Sequence, residues 1–190
     1  MTLRLFFALE LDQTVREKIS RQIETLKKET AFRWVRPENL HLTTRFLGAV
    51  EETKIKKIRE VLRTPVESFA SFECSLHTIG GFPNAKACRV VWFGVSKGSD
   101  QCGELKKIID NAIFPIGLSK EEGKFIPHLT LARSKTEPRD IHELQAIASS
   151  FEEIPCGTLR LLTLFSSDLT SIGPVYKPFL SYILNERSTC

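Results

Sequence analysis

The sequence contains no long hydrophobic run. Its apolar opening, residues 3–9, is too short to span a membrane and too short for the core of a signal peptide with its flanks. This stretch instead predicts a buried first strand. We therefore expect a protein of the cytoplasm that does not associate with membranes.

Cysteine spacing offers neither a metal site nor a disulfide framework. The five cysteines are odd in number and scattered, and they form no Cys-x-x-Cys pair and no zinc-binding spacing. They indicate free, mostly buried thiols in reducing surroundings. Acidic residues form no cluster of the kind that a two-metal site requires, so we expect no metal ion and no cofactor. The cysteines are Cys74, Cys88, Cys102, Cys156 and Cys190.

Neither positive nor negative charge predominates strongly in the sequence. The net charge is +4, from 27 basic and 23 acidic residues, which permits an anionic ligand without requiring one. A chain of 190 residues that is 42% hydrophobic is long enough to bury one sizeable core. No linker-like segment divides it. We expect a single domain of two intertwined lobes over residues 1–190, present as a monomer.

Hydrophobic periodicity predicts a mixed structure. Helical spacing of apolar residues predicts helices over residues 13–28, 52–62, 101–113 and 138–149. Short or alternating apolar runs predict strands over residues 3–9, 32–35, 41–48, 69–79, 89–95, 128–133, 158–166 and 176–184. Asp12 and Asp100 are predicted to precede helices, and Pro65 to follow one. The breakers at residues 80–84 predict a turn that joins two strands as a hairpin.

The order of these elements is similar in the two halves of the chain. Each half has a helix, a strand that begins His-Leu-Thr, and another helix. This order predicts an α+β fold of two similar lobes related by a pseudo-two-fold axis, each with a curved antiparallel sheet and outer helices. The groove between the lobes is the expected site.

The His-Leu-Thr sequences are the most informative feature. They occur at His41-Leu42-Thr43 and at His128-Leu129-Thr130, 87 residues apart, and use two of the four histidines in the chain. Alternate residues of a strand share a face. Each motif therefore presents one imidazole and one hydroxyl on the same side, and the two motifs are predicted to face each other. The alternative is a purely structural role, in which two interior histidines form hydrogen bonds and take no part in catalysis.

Two histidines on opposite walls suit a reaction that takes one proton and gives another. The unperturbed pKa of histidine, about 6.5, makes both protonation states accessible near neutral pH. The threonine hydroxyls would donate hydrogen bonds to an anion between them. A phosphodiester fits this arrangement, with two non-bridging oxygens for the threonines and an in-line attacking and leaving pair for the histidines.

On these residues the chain closely resembles the RNA 2′,3′-cyclic phosphodiesterase (2′-5′ RNA ligase-like) family of the 2H phosphoesterase superfamily. The resemblance covers essentially the whole chain. The matching segments are residues 4–9, Trp34 with residues 39–48, residues 82–84 with 89–92, residues 127–133, and residues 176–178.

The resemblance implies hydrolysis of a terminal 2′,3′-cyclic phosphate to a 2′-phosphate. By the family pattern His41 donates a proton to the departing 3′ oxygen and His128 is the base that acts on water. Thr43 and Thr130 would hold the phosphate. The expected substrates are RNA 3′ ends, including those of tRNA fragments, or small cyclic-phosphate nucleotides. Competing hypotheses are 2′-5′ ligation, 2′-5′ phosphodiesterase activity, and binding of RNA ends without catalysis.

Arginine and aromatic residues near the motifs leave further alternatives open. Arg133 is a candidate phosphate ligand, although strict alternation places it opposite His128. Arg45 shares the His41 face by alternation, yet a salt-bridged or solvated role is preferred. Core packing is preferred over base stacking for Phe7 and Trp34. Surface or structural roles are expected for Lys86, Arg89, His77 and His142.

Overall fold

The computed structural model describes residues 1–27, 32–119, 121, 123–170 and 173–186. The predicted end of the first helix at residue 28 and the terminal Cys190 lie outside them. The strands are β1 (Thr2–Leu9), β2 (Phe32–Trp34), β3 (Leu42–Glu51), β4 (Phe72–Phe82), β5 (Val90–Lys97), β6 (His128–Ser134), β7 (Ile154–Leu159), β8 (Leu161–Thr170) and β9 (Gly173–Ile183). The helices are α1 (Gln13–Leu26), α2 (Ile55–Glu67), α3 (Ser99–Ile113) and α4 (His142–Ala148). None of the described helices is long and apolar enough to cross a membrane.

The strands form one curled antiparallel sheet in the order β7-β4-β5-β6-β3-β1-β8-β9, and β2 pairs with the outer part of β6. The prediction of an α+β fold with curved antiparallel sheets is confirmed. The sheet divides where β6 meets β3, at a single pair formed by Leu42 and Leu129. The four-stranded group on the β3 side contains both the first strand and the last. The two groups therefore interlace along the chain and are not its two sequence halves.

Alternate residues of β1 contribute to the hydrophobic core. Leu5, Phe7 and Leu9 are at most 1% exposed and belong to the hydrophobic core, whereas Phe6 between them is also buried but packs against the ring of His41. α1 packs against β7 and contributes to the same core the four apolar residues that its spacing predicts, Val15, Ile19, Ile23 and Leu26, all of which are buried. Burial of side chains of this size contributes about 1.5–3 kcal/mol each. The four described cysteines are also buried and unbridged, as expected.

Several predicted boundaries are wrong for local reasons. α2 continues through Pro65, because the loss of one N–H in the last turn is offset by full burial of Val66. α3 begins after Gly98, whose left-handed backbone precedes the helix in place of Asp100. α4 begins at His142 and not at Pro138, because Arg139 pairs with Cys88 through backbone hydrogen bonds.

The strand predicted over residues 158–166 is in fact divided at Arg160. β7 ends at Leu159 and pairs with β4, whereas β8 begins at Leu161 and pairs with β1. The two strands thus belong to opposite groups of the sheet. A chain segment that reads as one apolar run is used to cross from one group to the other.

Gly80 and Gly81, for which the sequence predicts a turn, lie within β4. A Cβ atom on Gly80 would lie 2.1 Å from the indole of Trp92 on β5, and one on Gly81 would lie 2.7 Å from the sulfur of Cys88. The glycines are therefore required by close packing against neighbouring side chains, since any larger residue would displace them.

Gly80→Ala is expected to lower the free energy of unfolding by about 1–3 kcal/mol, because the added methyl group overpacks the Trp92 side chain. Urea titration measures this. The matched control is Gly103→Ala within α3, where nothing lies within 4 Å of the added Cβ. That change is expected to stabilise the protein by about 0.4–1 kcal/mol. Equal effects of the two substitutions would contradict the packing explanation.

Candidate active site

The pair formed by Leu42 and Leu129 brings the two motifs together. Because β3 and β6 are antiparallel and these leucines lie opposite each other, His41 comes opposite Thr130 and Thr43 opposite His128. Both leucines are buried, at 2% and 0% exposed. The two histidines and two threonines therefore share the opposite face of the sheet, in a diagonal arrangement around one point.

Each imidazole is oriented by a backbone carbonyl two residues earlier. Nδ1 of His41 lies 2.7 Å from the carbonyl oxygen of Asn39, and Nδ1 of His128 lies 2.7 Å from that of Ile126. A carbonyl oxygen only accepts, so Nδ1 carries the proton in both rings. Nε2 is thereby the atom that takes or gives a proton. In His41 it lies 3.0 Å from the hydroxyl of Thr43.

The protonation of the two histidines is shifted in the same direction. Burial lowers the pKa of His41 from 6.5 to about 4, against the opposing effect of the Asn39 carbonyl, and the positive charges of Arg133 and Arg16 lower it further. Burial also lowers the pKa of His128, again with a contribution from Arg133. His128 itself contributes to the lowered pKa of His41, so the rings are close enough to influence each other.

Aromatic rings hold each histidine in place. The ring of His41 lies 5.0 Å from that of Phe6 and 5.2 Å from that of Tyr176, measured between centroids. The ring of His128 lies 4.9 Å from that of Phe82 and 5.9 Å from that of Trp92. These side chains exclude water from one side of each imidazole, which is the physical origin of the lowered pKa values.

A β-bulge corrects the placement of Arg133. Val91 of β5 lies opposite Ala132 and Trp92 lies opposite Thr130, so Leu131 has no partner in that ladder. Leu131 and Ala132 are consecutive and both fully buried. The extra residue reverses the alternation, so Arg133 emerges on the face of His128 and Thr130. The positive charge of Arg133 lowers the pKa of both histidines.

A bulge at the equivalent position of β3 turns Arg45 away from His41, although Arg45 still lines the space beside His128. Phe7 lies opposite Arg45 and Ala8 opposite Thr43, which leaves Thr44 without a partner in β1. Arg45 is 4% exposed, and its Nε lies 2.5 Å from Asp110 of α3. Placement of Arg45 on the His41 face was therefore wrong, and the salt-bridged alternative is the observed one. Phe46, 47% exposed, takes the place that Arg133 has in β6.

The remaining candidates lie outside the site. Phe7 is fully buried, and Trp34 packs against the core as expected. The four residues for which surface or structural roles are expected are all exposed, namely Lys86, Arg89, His77 and His142. His142 binds Asp140 at 2.6 Å. The aromatic residues around the histidines received no site role from the sequence, although alternation in β1 does place Phe6 on the face opposite to Phe7.

Two cavities adjoin the motifs, one beside each histidine. The first has a volume of about 140 Å³, and His128, Thr43 and Phe46 lie in its wall. The second has a volume of about 290 Å³ and is lined by His41 and Tyr176. Within the described ranges, no three His, Cys, Asp or Glu side chains group together in a way that would hold a metal ion.

Comparison with known proteins identifies the family. The model of the 2′-5′ RNA ligase superfamily matches residues 15–168, and the chain belongs to that superfamily. The relatives include proteins named RNA 2′,3′-cyclic phosphodiesterase. One from Methanothermobacter thermautotrophicus is 35% identical over 93% of this chain and 96% of its own length. Another, from Thermotoga maritima, is 37% identical over 92% of both chains.

Solved structures show the same fold. A Thermus thermophilus protein has a TM-score of 0.80 at 24% identity and covers 97% of this chain and 99% of its own. Escherichia coli LigT complexed with 3′-AMP has a TM-score of 0.77 at 25% identity, with the same coverage.

The lowered pKa of His41 has a consequence for stability. Between pH 6.5 and about 4 the unfolded chain binds a proton at His41 that the folded protein does not, so a fall in pH through this window favours unfolding. His41→Gln removes this contribution. As the pH falls through this window, the free energy of unfolding of the variant minus that of wild type is expected to rise by about 1 kcal/mol for each pH unit.

Denaturant titrations at several pH values between 4 and 7.5 measure this difference. His77→Gln, which removes an exposed imidazole from β4, is the matched control. Parallel stability curves for wild type and His41→Gln across the window would show that burial does not hold His41 neutral.

Proposed function

We propose that this protein hydrolyses terminal 2′,3′-cyclic phosphates of RNA and leaves a 2′-phosphate. One observation carries the proposal: the paired strands bring two imidazoles together, and each has Nδ1 hydrogen-bonded to a carbonyl, which makes Nε2 the nitrogen that can transfer a proton. A binding site for RNA ends does not need two titratable groups with matched tautomers. The names of the relatives agree with this function.

The reaction needs one proton to be removed and one to be supplied. Nε2 of His128 takes a proton from water, and the water oxygen attacks phosphorus. The bond from phosphorus to the 3′ oxygen breaks on the opposite side, where the protonated Nε2 of His41 gives its proton to that oxygen. The product is a 2′-phosphate beside a 3′-hydroxyl, and the histidines have exchanged their protonation states.

Thr43, Thr130 and Arg133 stabilise the charge on the phosphate. The two hydroxyls lie on opposite strands of the motif pair and would each donate to one non-bridging oxygen. Arg133 follows on the same face after the bulge, and its guanidinium offers several donors in a planar fork. These groups are held by strands, so they require little reorganisation as charge develops.

His41→Ala and His128→Ala are each expected to lower kcat for a 2′,3′-cyclic phosphate dinucleotide by about 10²–10⁴-fold, since each removes one proton transfer. Phosphorus NMR, with a chelator present, reports both turnover and which hydroxyl keeps the phosphate. His77→Ala is the matched control, because it removes an exposed histidine of β4. Full turnover by His128→Ala would refute the assigned base.

Arg133→Gln is expected to lower kcat/KM by roughly tenfold or more, because a charge-assisted hydrogen bond to phosphate is lost. It also removes a positive charge that lowers the pKa of both histidines. The decline of kcat/KM with rising pH should therefore move to higher pH in the variant. The pH profiles of Arg133→Gln and of Arg63→Gln, an exposed change on α2, measure this. An unmoved profile would place Arg133 away from the histidines.

Ligation would use the same groups with a different nucleophile. Attack of a 5′-hydroxyl on a cyclic phosphate would join two RNA ends through a 2′-5′ linkage, with the same two proton transfers. Incubation with both RNA ends at high concentration, followed by analysis of the products, separates ligation from hydrolysis.

A further inference from the structure

Arg33 of β2 lies directly opposite Arg133 of β6. Residues that oppose each other in antiparallel strands point to the same face of the sheet, with Cβ atoms about 4.5–5.5 Å apart. The residues on either side of Arg33 belong to the core, since Phe32 is 2% exposed and Trp34 packs against the core cluster. Arg33 therefore emerges on the opposite face, which also carries Arg133 and the two motifs.

The two arginines form a pair of like charges that the protein does not neutralise. Both side chains are exposed, and like charges placed opposite each other on neighbouring strands destabilise a sheet. Neither takes part in an ion pair among the described residues; the arginines that do are Arg16, Arg45, Arg63 and Arg160. A local feature that opposes stability beside a candidate site indicates function, and two unpaired cations indicate an anionic ligand.

The proposed substrate offers such an anion next to the reacting phosphate. In single-stranded RNA the 5′ oxygen of the terminal ribose carries the phosphodiester that joins it to the preceding nucleoside. β6 advances roughly 10 Å from Thr130 to Arg133, at about 3.3 Å per residue, and Arg33 lies beside that end of the strand. A step of one nucleotide, together with an extended arginine side chain, spans this distance. Proteins that hold single strands place cationic residues along the backbone in this way.

We infer that Arg33 binds the phosphodiester that precedes the terminal nucleotide, beside Arg133 on the face of the two motifs. Its planar guanidinium donates in the fork geometry that suits phosphate oxygens. The inference rests on the proposed function and extends it, because the protein would hold an RNA strand and not only its last nucleotide. Arg133 is among the charges that lower the pKa of the histidines, whereas Arg33 is not. Arg33 can therefore be changed without altering the proton transfers.

The test uses two dinucleotides that end in adenosine 2′,3′-cyclic phosphate and differ only in the linkage between the nucleosides. One linkage is a phosphodiester and the other an uncharged methylphosphonate. The first nucleoside is 2′-deoxyadenosine in both, so that no neighbouring hydroxyl attacks the linkage. Wild type is expected to show a kcat/KM about tenfold higher for the charged linkage, since only that linkage accepts charge-assisted hydrogen bonds from Arg33.

Arg33→Gln is expected to lose this preference. Its kcat/KM should fall about tenfold for the charged dinucleotide and equal that of wild type for the neutral one, so the two changes are not additive. Arg63→Gln, which removes the same charge from an exposed position of α2, is the matched control and should keep the full preference. Urea titration should give Arg33→Gln a midpoint no lower than that of wild type. A lower midpoint would mean that Arg33 stabilises the free protein, and the argument for a ligand would fail.

Equal loss on both dinucleotides would show that Arg33→Gln acts through Arg133 and would overturn the inference. Equal kcat/KM of wild type for the two linkages would overturn it as well. If wild type turns over no cyclic phosphate, the proposed function fails and calorimetry tests Arg33 separately. The probes are then the same two dinucleotides with a 2′-phosphate end. Tighter binding of the charged one by wild type, lost in Arg33→Gln, supports the inference, and equal binding refutes it.

Discussion

The contact between Leu42 and Leu129 determines where the candidate chemistry lies. It is the one residue pair through which β3 and β6 join the two groups of the sheet in the described structure. The side chains of both leucines are removed from water, and a slip of one residue in either strand would exchange each leucine for a polar neighbour. The burial of two apolar side chains therefore sets the register, and the register places each histidine opposite the threonine of the other motif.

The part of the site that depends on this local alternation could be predicted from the sequence. His41 with Thr43, and His128 with Thr130, share a face because they are two residues apart in strands. The α+β class followed from the spacing of apolar residues, as the four buried residues of α1 illustrate. The catalytic and binding roles of these residues stay predictions, since the experiments proposed above have yet to test them.

The rest of the site depends on contacts between residues distant in the chain. Strict alternation failed one residue after each motif threonine, at Thr44 and Leu131, because the neighbouring strands β1 and β5 pair around an extra residue. Those bulges exchange the faces of Arg45 and Arg133. No spacing within either motif signals a bulge, since it arises from the register with a third strand. The same holds for the pairing of Arg45 with Asp110, which lies 65 residues away.

The two motifs have different aromatic neighbours, yet their surroundings lower the pKa of both histidines. Burial and the charge of Arg133 favour the neutral form of both imidazoles, yet only a pair that holds one proton can both accept and donate. A cyclic phosphate between the rings carries a negative charge, which favours the protonated form of an adjacent imidazole. Because the rings interact, their pKa values describe the pair and not either ring alone. In the proposed mechanism, binding of the phosphate and uptake of the proton that His41 donates are therefore one coupled equilibrium.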